Sequence, residues 1–285
     1  MIEAQPSKTA LRVALRRAAH QIHDKKPLVF EDPLAVPILG AEYREELKRT
    51  PSADRRPFSA ALRAFMVVRA RLAEDTLAAA VKELGVTQYL VLGAGLDTFA
   101  YRNPYAQVKV FEVDHPATQA WKLERLAAAG IGVPENAVLV PVDFERQALA
   151  EELLGAGFDP KAPTVTAWLG VVPYLTLEAF RDTTELLGSF AKGSEVVFDY
   201  SQPSEALPPV EQLMLASLSS RVAQAGEPFR LFFTPDALET ELRLAGLEVV
   251  EDLDGPAITA RYLAGRKDGL QLRGRGGRIC VARAR

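Results

Sequence analysis

Two glycines that follow an apolar segment near the middle of the chain have the spacing of a nucleotide-binding turn. The segment Gln88–Leu92 has the composition of a buried strand, and Gly93, Ala94 and Gly95 come directly after it. Glycine lets the backbone pass close to a ligand at the carboxyl edge of a parallel sheet. A dinucleotide fold has a third glycine where this chain has Thr98, so the motif favours S-adenosylmethionine, which has no phosphate, over NAD or FAD. Packing alone also explains such glycines, and both interpretations stay open.

Acidic residues end the next two apolar segments. Asp114, followed by His115, lies about twenty residues after the glycines, where an acid accepts hydrogen bonds from ribose hydroxyls. Asp143 and Phe144 follow the next segment and are candidates for binding an adenine amino group and covering its ring. The alternatives are a solvated acid at Asp114, and a helix cap at Asp143 with a core aromatic after it.

The apolar segments alternate with helical ones from residue 86 onward, which predicts a doubly wound, Rossmann-like α/β sheet. Residues 1–85 have a helical pattern and are expected to form a cap that belongs to the same domain as the 86–285 core. A helical insertion near 203–228 follows the fifth strand, where such a fold places a lid or substrate wall. About 24 residues without a clear helix join the last two strands. Seven strands are predicted, at Gln88–Leu92, Val108–Val113, Ala137–Val140, Thr164–Leu169, Glu195–Tyr200, Leu247–Asp252 and Gly277–Ala282.

Composition excludes several classes of protein. The chain has 285 residues, 48% of them apolar and 25% charged, and a net charge of −3, which argues against a nucleic-acid-binding protein. The single cysteine, Cys280, excludes a disulfide framework, and no cluster has metal-ligand spacing. No apolar run approaches a membrane span and the first residues do not resemble a signal peptide, so we expect a cytoplasmic protein.

Short motifs spread over nearly the whole chain give a resemblance to a known family. The sequence resembles bacterial S-adenosylmethionine-dependent methyltransferases related to leucine carboxyl methyltransferases. The resemblance implies a class I methyltransferase fold, with seven strands, the last one antiparallel, and N-terminal helices that close over the cofactor. The motifs that carry it are Thr9-Ala10-Leu11, Arg17-Ala18-Ala19-His20, Val29-Phe30-Glu31-Asp32-Pro33-Leu34-Ala35, Arg69-Ala70-Arg71, Gly93-Ala94-Gly95-Leu96-Asp97-Thr98, Tyr101-Arg102, Phe111-Glu112-Val113-Asp114, Val142-Asp143-Phe144, the segment Trp168 to Thr176, and Arg261-Tyr262-Leu263-Ala264-Gly265-Arg266.

The resemblance also implies roles for individual residues. Gly93, Gly95 and Asp97 would surround the methionine part of the cofactor, and Arg69 would bind the carboxylate of the cofactor or of the acceptor. It supports the ribose and adenine roles given above. One position departs from the pattern, because Leu169 stands where the eukaryotic carboxyl methyltransferases have an acid that holds the cofactor's ammonium group.

The acceptor decides which further residues would take part in catalysis. A carboxylate acceptor is already ionised and needs an arginine to hold it, for which Arg69, Arg71 and Arg261 are candidates. A hydroxyl or amine needs a general base, and His20 is the candidate, although a histidine that hydrogen-bonds in the core explains the same position.

Two tyrosines lie at the functional edge of the predicted sheet, one after the fourth strand and one at the end of the fifth. Tyr174 and Tyr200 are candidates for lining the acceptor pocket, and packing with a hydroxyl at the rim is the alternative. Together these features predict an enzyme that methylates a carboxylate or hydroxyl oxygen of a small molecule or a chain terminus. The alternatives are an inactive S-adenosylmethionine-binding protein and an NAD-dependent oxidoreductase. The sequence does not predict an oligomeric state.

Overall fold

A single seven-stranded sheet forms the centre of the molecule. The computed structural model describes residues 7–49, 57–143, 147–224 and 226–285. The strands lie in the order β3-β2-β1-β4-β5-β7-β6. Their bounds are β1 Gln88–Leu92, β2 Lys109–Asp114, β3 Ala137–Pro141, β4 Thr164–Trp168, β5 Glu195–Ser201, β6 Leu247–Leu253 and β7 Gly277–Ala284.

Strand direction changes only at β7 within this sheet. Strands β1 to β5 pair in parallel, with Leu92 opposite Val113 and Trp168 opposite Phe198. Strand β7 pairs antiparallel with both β5 and β6 and lies between them. The predicted fold class, with a last antiparallel strand, is therefore confirmed, and every predicted strand is present within two residues at each end. The switch in strand order between β1 and β4 places a crevice at the carboxyl ends of these strands.

Helices cover both faces of the sheet. Ser7, Thr176 and Thr234 cap helices through their hydroxyl groups, and Pro235 opens the helix after Thr234, as its position predicts. Within the described residues the helices are α1 Lys8–His23, α2 Ala41–Arg49, α3 Pro57–Leu84, α4 Pro116–Ala128, α5 Leu149–Gly155, α6 Leu177–Gly188, α7 Pro209–Gln224, α8 Pro235–Leu244 and α9 Gly255–Ile258.

The connection between β6 and β7 differs from the sequence prediction, which has no helix there. Asp254 accepts a hydrogen bond from the Ala257 N–H group and begins α9, which continues as a π-helical turn over Thr259–Leu263. A helix this short has too few residues to show a periodic pattern of apolar positions, so the sequence does not reveal α9. None of the described helices combines the length and apolar character that crossing a membrane requires.

The hydrophobic core has one layer on each face of the sheet and a third cluster under the N-terminal helices. On one face α3 contributes Leu72 and Leu77, and on the other α6 contributes Phe180. The third cluster joins α1 to Leu96 in the loop after β1. Helix α1 is thus packed directly on the loop that carries the glycine motif.

Candidate functional site

A cavity of about 410 Å³ opens at the carboxyl ends of β1, β2 and β4. This volume is within the range of small-molecule sites. Helices α1 and α3 and residues 226–230, here called the 226–230 segment, form its other walls. Of the predicted site residues, those that line the cavity are Arg69, Gly93, Ala94, Gly95, Asp97, Asp114, His115, Leu169 and Tyr174.

The glycine loop after β1 is held in one conformation from two sides. Gly93 and Gly95 have φ angles of 68° and 49°, in the left-handed region that favours glycine. A Cβ atom on Gly93 would lie 2.4 Å from Val171 Cγ2, and one on Gly95 would lie 3.0 Å from Ala10 Cβ. The N–H groups of Gly93 and Ala94 both donate to the Val113 carbonyl of the neighbouring strand. Neither glycine therefore leaves room for a side chain.

Asp114 closes β2 beside this loop. Its Oδ2 atom accepts a hydrogen bond from Gly95 N at 2.6 Å, and its Oδ1 atom accepts one from His115 N at 2.7 Å. Burial raises the pKa of the carboxyl group, although these bonds oppose the rise. Each carboxylate oxygen has a further lone pair, so the group can still accept from ribose hydroxyls. His115 caps α4 by accepting from Ala117 N at 3.2 Å.

Asp97 is bound by a buried arginine from the first helix. Arg17 Nη1 lies 2.6 Å from Asp97 Oδ2, and Arg17 Nη2 lies 2.7 Å from Asp32 Oδ2. Burial works to raise the pKa of Asp97, but the positive charges of Arg17 and two more distant basic residues outweigh it and lower the pKa to about 2. Asp97 is therefore ionised at neutral pH and anchors α1 to the loop.

Thr98, which stands where a dinucleotide fold has its third glycine, belongs to the same network. Its hydroxyl donates to Asp32 and accepts from Arg17 at 3.0 Å and from Arg102 at 3.2 Å. Arg102 in turn donates from two nitrogens to Glu74 of α3. The side chain of Thr98 thus has a structural task that glycine could not perform.

The network brings together motifs that are far apart in the sequence. The Phe30 ring lies 5.4 Å from the Arg17 guanidinium and 5.1 Å from that of Arg102, at cation–π distance. Residues from the motif at 29–35, from α1 and from the glycine loop therefore meet in one buried cluster beside the cavity. Sequence reasoning identified these motifs but assigned no role to Arg17 or Asp32.

Arg69 of α3 is buried against the opposite wall of the cavity. Its Nη1 atom lies 2.9 Å from Asp199 Oδ2, and Asp199 Oδ1 accepts from Gly170 N at 2.7 Å. Gly170 has a φ angle of 72°, and a Cβ atom there would lie 2.7 Å from Arg69 Nη2. Sequence analysis missed Asp199, for which the available signal is a charged residue inside the otherwise apolar strand β5.

Tyr200 does not reach the cavity, and its predicted place in the acceptor pocket is corrected. Its side chain is buried in the core on the other face of the sheet and donates to Asp252 at 2.8 Å. Successive side chains of a strand point to opposite faces. Asp199 therefore points toward Arg69, and Tyr200 points away from it.

His20 is a structural histidine, and its assignment as a general base is corrected. It is fully buried and does not line the cavity. Its Nε2 atom accepts from Phe30 N at 3.3 Å, which leaves the ring proton on Nδ1 for donation to Asp24 at 2.7 Å. Both nitrogens are used within the fold because the helix and the 29–35 motif pack around them.

Four other predicted residues lie outside the cavity or outside the described chain. Arg71 pairs with an aspartate at 2.7 Å and Arg261 with a glutamate at 2.6 Å, both away from the cavity. Asp143 is half-buried after β3 and is not among the lining residues. Phe144 lies outside the described residues. The adenine role of Asp143 and Phe144 stays a prediction.

The 226–230 segment and the turn after β4 form the remaining wall. Arg230 N donates to the Pro173 carbonyl at 2.7 Å, and the Phe229 ring lies 5.2 Å from that of Tyr174. Burial raises the pKa of Tyr174, so its hydroxyl is protonated at neutral pH and can donate to a ligand. Leu169 lines the same wall and offers only apolar surface.

Glu227 connects this wall to the first helix. Its carboxylate accepts from Ser7 Oγ at 3.0 Å and from Thr9 N at 3.1 Å. The end of the predicted 203–228 insertion therefore lines the cavity, as expected for a substrate wall. Sequence reasoning did not identify Glu227 or Arg230. Within the described residues, no group of three or more His, Cys, Asp or Glu side chains could hold a metal ion.

Comparison with known proteins decides the family. The model of the family "Leucine carboxyl methyltransferase" matches residues 10–187. The chain belongs to this family. The Bacillus subtilis protein named "Putative S-adenosyl-L-methionine-dependent methyltransferase YktD" is 31% identical over 293 residues, with 95% of each chain covered. A protein of the same description from Parafrankia sp. is 36% identical over 198 residues, which are 67% of this chain and 62% of the relative.

Solved structures show the same fold. A DUF574 family protein from Streptomyces avermitilis has a TM-score of 0.56 and 19% identity, with both chains fully covered. A Thermobifida fusca structure has a TM-score of 0.58 and 16% identity, covering 100% of this chain and 97% of the other. Family membership confirms the prediction of an S-adenosylmethionine-dependent methyltransferase.

The residues of the cavity fit this cofactor. Asp114 accepts from backbone N–H groups and forms no ion pair with the described residues, and Lys122, whose charge acts on it, is paired with Glu112. Its carboxylate is therefore available to hydroxyl groups. Gly93 and Gly95 keep the loop beneath the cavity free of side chains, and Arg69 supplies a cation for a carboxylate. These residues would hold the ribose and the methionine part, and the individual roles of Gly93, Gly95, Asp97 and Asp114 stay predictions.

Proposed function

We propose that this methyltransferase transfers the methyl group to a carboxylate oxygen of a small molecule or a chain terminus. The observation that carries the proposal is the state of the titratable groups around the cavity. Every acid that lines the cavity in the described part of the chain already accepts hydrogen bonds that hold the fold together, and the histidine there caps a helix. A carboxylate acceptor, already ionised at neutral pH, needs no base, whereas a hydroxyl does.

The acids of the cavity are all engaged by donors. Asp97 pairs with Arg17, and Glu74 accepts two hydrogen bonds from Arg102. Asp114 and Glu227 accept from backbone N–H groups of the loops that form the walls. Proton uptake by any of them would weaken a contact that fixes the cavity, so none is suited to be a general base.

The histidine that lines the cavity is also unsuited to accept a proton. His115 Nδ1 accepts from Ala117 N, so the proton of the neutral ring lies on Nε2. The nitrogen that is not used by the helix cap is then a donor. With His20 placed in the core, the described chain offers no histidine base to the cavity.

The mechanism then depends on binding and alignment. S-adenosylmethionine supplies an electrophilic methyl group whose bond to sulfur breaks with the electron pair staying on sulfur. The acceptor oxygen forms the new bond to carbon, and no proton moves. Arg69 and the glycine loop orient one reactant, the Tyr174 wall orients the other, and α1 with the 226–230 segment excludes water.

The product's chemistry tests this proposal. The protein is incubated with methyl-labelled S-adenosylmethionine and a panel of carboxylic acids, each matched by the alcohol or phenol of the same skeleton. Alkali releases labelled methanol from a methyl ester but not from an ether or an amine. We expect alkali-labile label with the acids and none with the matched alcohols.

Two outcomes would contradict the proposal. Alkali-stable product would show transfer to a hydroxyl or amine. Cofactor binding without any product over the panel would favour a cofactor-binding protein that does not transfer the group. The Asp114→Ala variant serves as the control for label that arises without the enzyme's cofactor site.

A further inference from the structure

We propose that Arg230, together with the Tyr174 hydroxyl, binds the acceptor's carboxylate and selects acceptors in which that group is attached to an apolar body. This inference rests on the proposed carboxyl methylation and names its acceptor class. It assigns a specificity-determining role to a residue in the 226–230 segment, which no sequence motif indicated.

Arg230 lines the cavity and its charge is uncompensated. Its guanidinium forms no ion pair or side-chain hydrogen bond with the part of the chain that the structure describes. The acid closest in sequence, Glu227, accepts from Ser7 and Thr9 instead. Arg17 and Arg69, the other arginines of the cavity, each have a carboxylate partner within 3 Å. An anionic ligand therefore finds its strongest unpaired cation at Arg230.

The backbone of Arg230 is fixed at the cavity wall, and its side chain is exposed. Arg230 N and Leu231 N both donate to the Pro173 carbonyl, at 2.7 and 3.2 Å. Phe229 packs its ring on Tyr174, and Phe233 N donates to the Ser201 carbonyl at the end of β5. These contacts hold the backbone of Arg230 next to the turn that carries the Tyr174 hydroxyl, so its guanidinium can reach a ligand in the cavity.

The Arg230 guanidinium and the Tyr174 hydroxyl can both donate hydrogen bonds to one oxygen of a carboxylate. Tyr174 lines the cavity, and burial raises its pKa although a contact with the Thr9 hydroxyl opposes the rise, so its hydroxyl is protonated and can donate to a ligand. When one acceptor oxygen is held by these donors, the other is free to form the new bond to carbon. The electron pair for this bond comes from the carboxylate, which becomes a neutral ester.

Several apolar side chains also line the cavity and define the body of the acceptor. Met66, Leu169, Val171 and Leu175 line the cavity beside Tyr174. Apolar side chains at this position favour a hydrocarbon or aromatic group and disfavour a second charge. A carboxylic acid with an alkyl or aryl body is therefore the expected class.

Binding and turnover with simple probes test the assignment. Hexanoate and benzoate are titrated into the protein saturated with S-adenosylhomocysteine, with hexanamide and benzamide as the uncharged counterparts. We expect the acids to bind at least tenfold more tightly than the amides. In Arg230→Gln the preference for acids over amides should fall by about tenfold and the acceptor KM should rise by about tenfold. Arg230→Lys should keep part of the preference. S-adenosylhomocysteine affinity should not change in either variant.

Arg243→Gln is the matched control, because this exposed arginine on α8 lies away from the cavity and should leave all constants unchanged. Ester formation with an unaltered acceptor KM in Arg230→Gln overturns the role of Arg230 but not the proposed function. Weaker S-adenosylhomocysteine binding with an unaltered acceptor KM assigns Arg230 to the cofactor and also overturns it. If the wild type binds none of the acids and forms no alkali-labile product, both proposals fail.

Discussion

The two sides of the cavity differ in how their charges are balanced. On the glycine-loop side, Asp97 pairs with Arg17, Glu74 with Arg102, and Asp114 accepts from two backbone N–H groups. On the side of the 226–230 segment, the Arg230 guanidinium has no ion-pair partner within the described chain. The first side is organised before any ligand binds, whereas the second keeps a charge for its ligand. Side chains that are already paired with one another give a rigid site, which suits a cofactor that the whole family shares. An unpaired cation suits an acceptor that only one member of the family selects.

Removing Arg17 should have the largest effect and would break the paired side. Arg17→Met leaves Asp97 and Asp32 without their shared cation, although Arg102 stays 3.3 Å from Asp32, so we expect the free energy of unfolding to fall by about 3–5 kcal/mol, as for other broken buried ion pairs. Urea denaturation measures the change. Arg181→Met, which removes an arginine from an exposed pair with Glu241, is the control and should change stability little. Equal losses in the two variants would contradict the importance of the network.

Substitution of Asp114 should sharpen the assignment of the cofactor side. Asp114→Ala removes a charged acceptor, so the affinity for S-adenosylhomocysteine should fall about tenfold to a hundredfold, equivalent to roughly 1.5–3 kcal/mol. Asp114→Asn keeps one oxygen and should lose less. Titration calorimetry measures both. Asp182→Ala, at an exposed position on α6, is the control. Affinity that is unchanged in Asp114→Ala would remove the ribose role.

Gly170 lies where the two sides meet, and a matched glycine isolates its contact with Arg69. Gly170→Ala and Gly130→Ala both place alanine at a positive φ, at 72° and 68°, which costs about 1–2 kcal/mol of stability. Only the first brings a Cβ atom against the Arg69 guanidinium, since Gly130 has nothing within 4 Å. We expect both variants to lose stability and only Gly170→Ala to lose cofactor affinity. Equal affinities in the two variants would show that the position of Arg69 does not matter for binding.

The smallest effect is expected at Tyr200 and tests which tyrosine belongs to the acceptor side. Tyr200→Phe removes one hydrogen bond to Asp252, which keeps its contact with Arg278, so stability should fall by about 1 kcal/mol. The acceptor KM should not change. Tyr174→Phe should raise that KM without a comparable loss of stability. The reverse result in steady-state assays of the two variants would return Tyr200 to the acceptor pocket.

The sequence predicted the fold well because its signals are local. The central strands β1 and β4 are short runs that are buried at every residue, and the caps at Thr176 and Thr234 act within one helical turn. The signals for the glycine turn and for Asp114 are local in the same sense, since each lies at the end of a strand that the apolar pattern defines. These parts of the site were therefore predictable together with the fold.

The acceptor side was less predictable because tertiary contacts determine it. The alternation of β5 shows that Asp199 and Tyr200 lie on opposite faces, but not which face carries the cavity, and the tyrosine was chosen. Arg230 follows no strand or helix, and its place depends on the Pro173 carbonyl more than fifty residues away in the chain. His20 was misassigned because its partners, Asp24 and Phe30, meet it only once α1 and the next motif have packed.

The position of β7 has a consequence for folding. Strands β5 and β6 do not pair with each other, because β7 lies between them and is made after both. Until the strand that follows the 23-residue connection pairs with both, each of these strands keeps an open edge that another chain can pair with. Association at this stage would compete with closure of the sheet, so the tendency to aggregate during folding should end when β7 inserts.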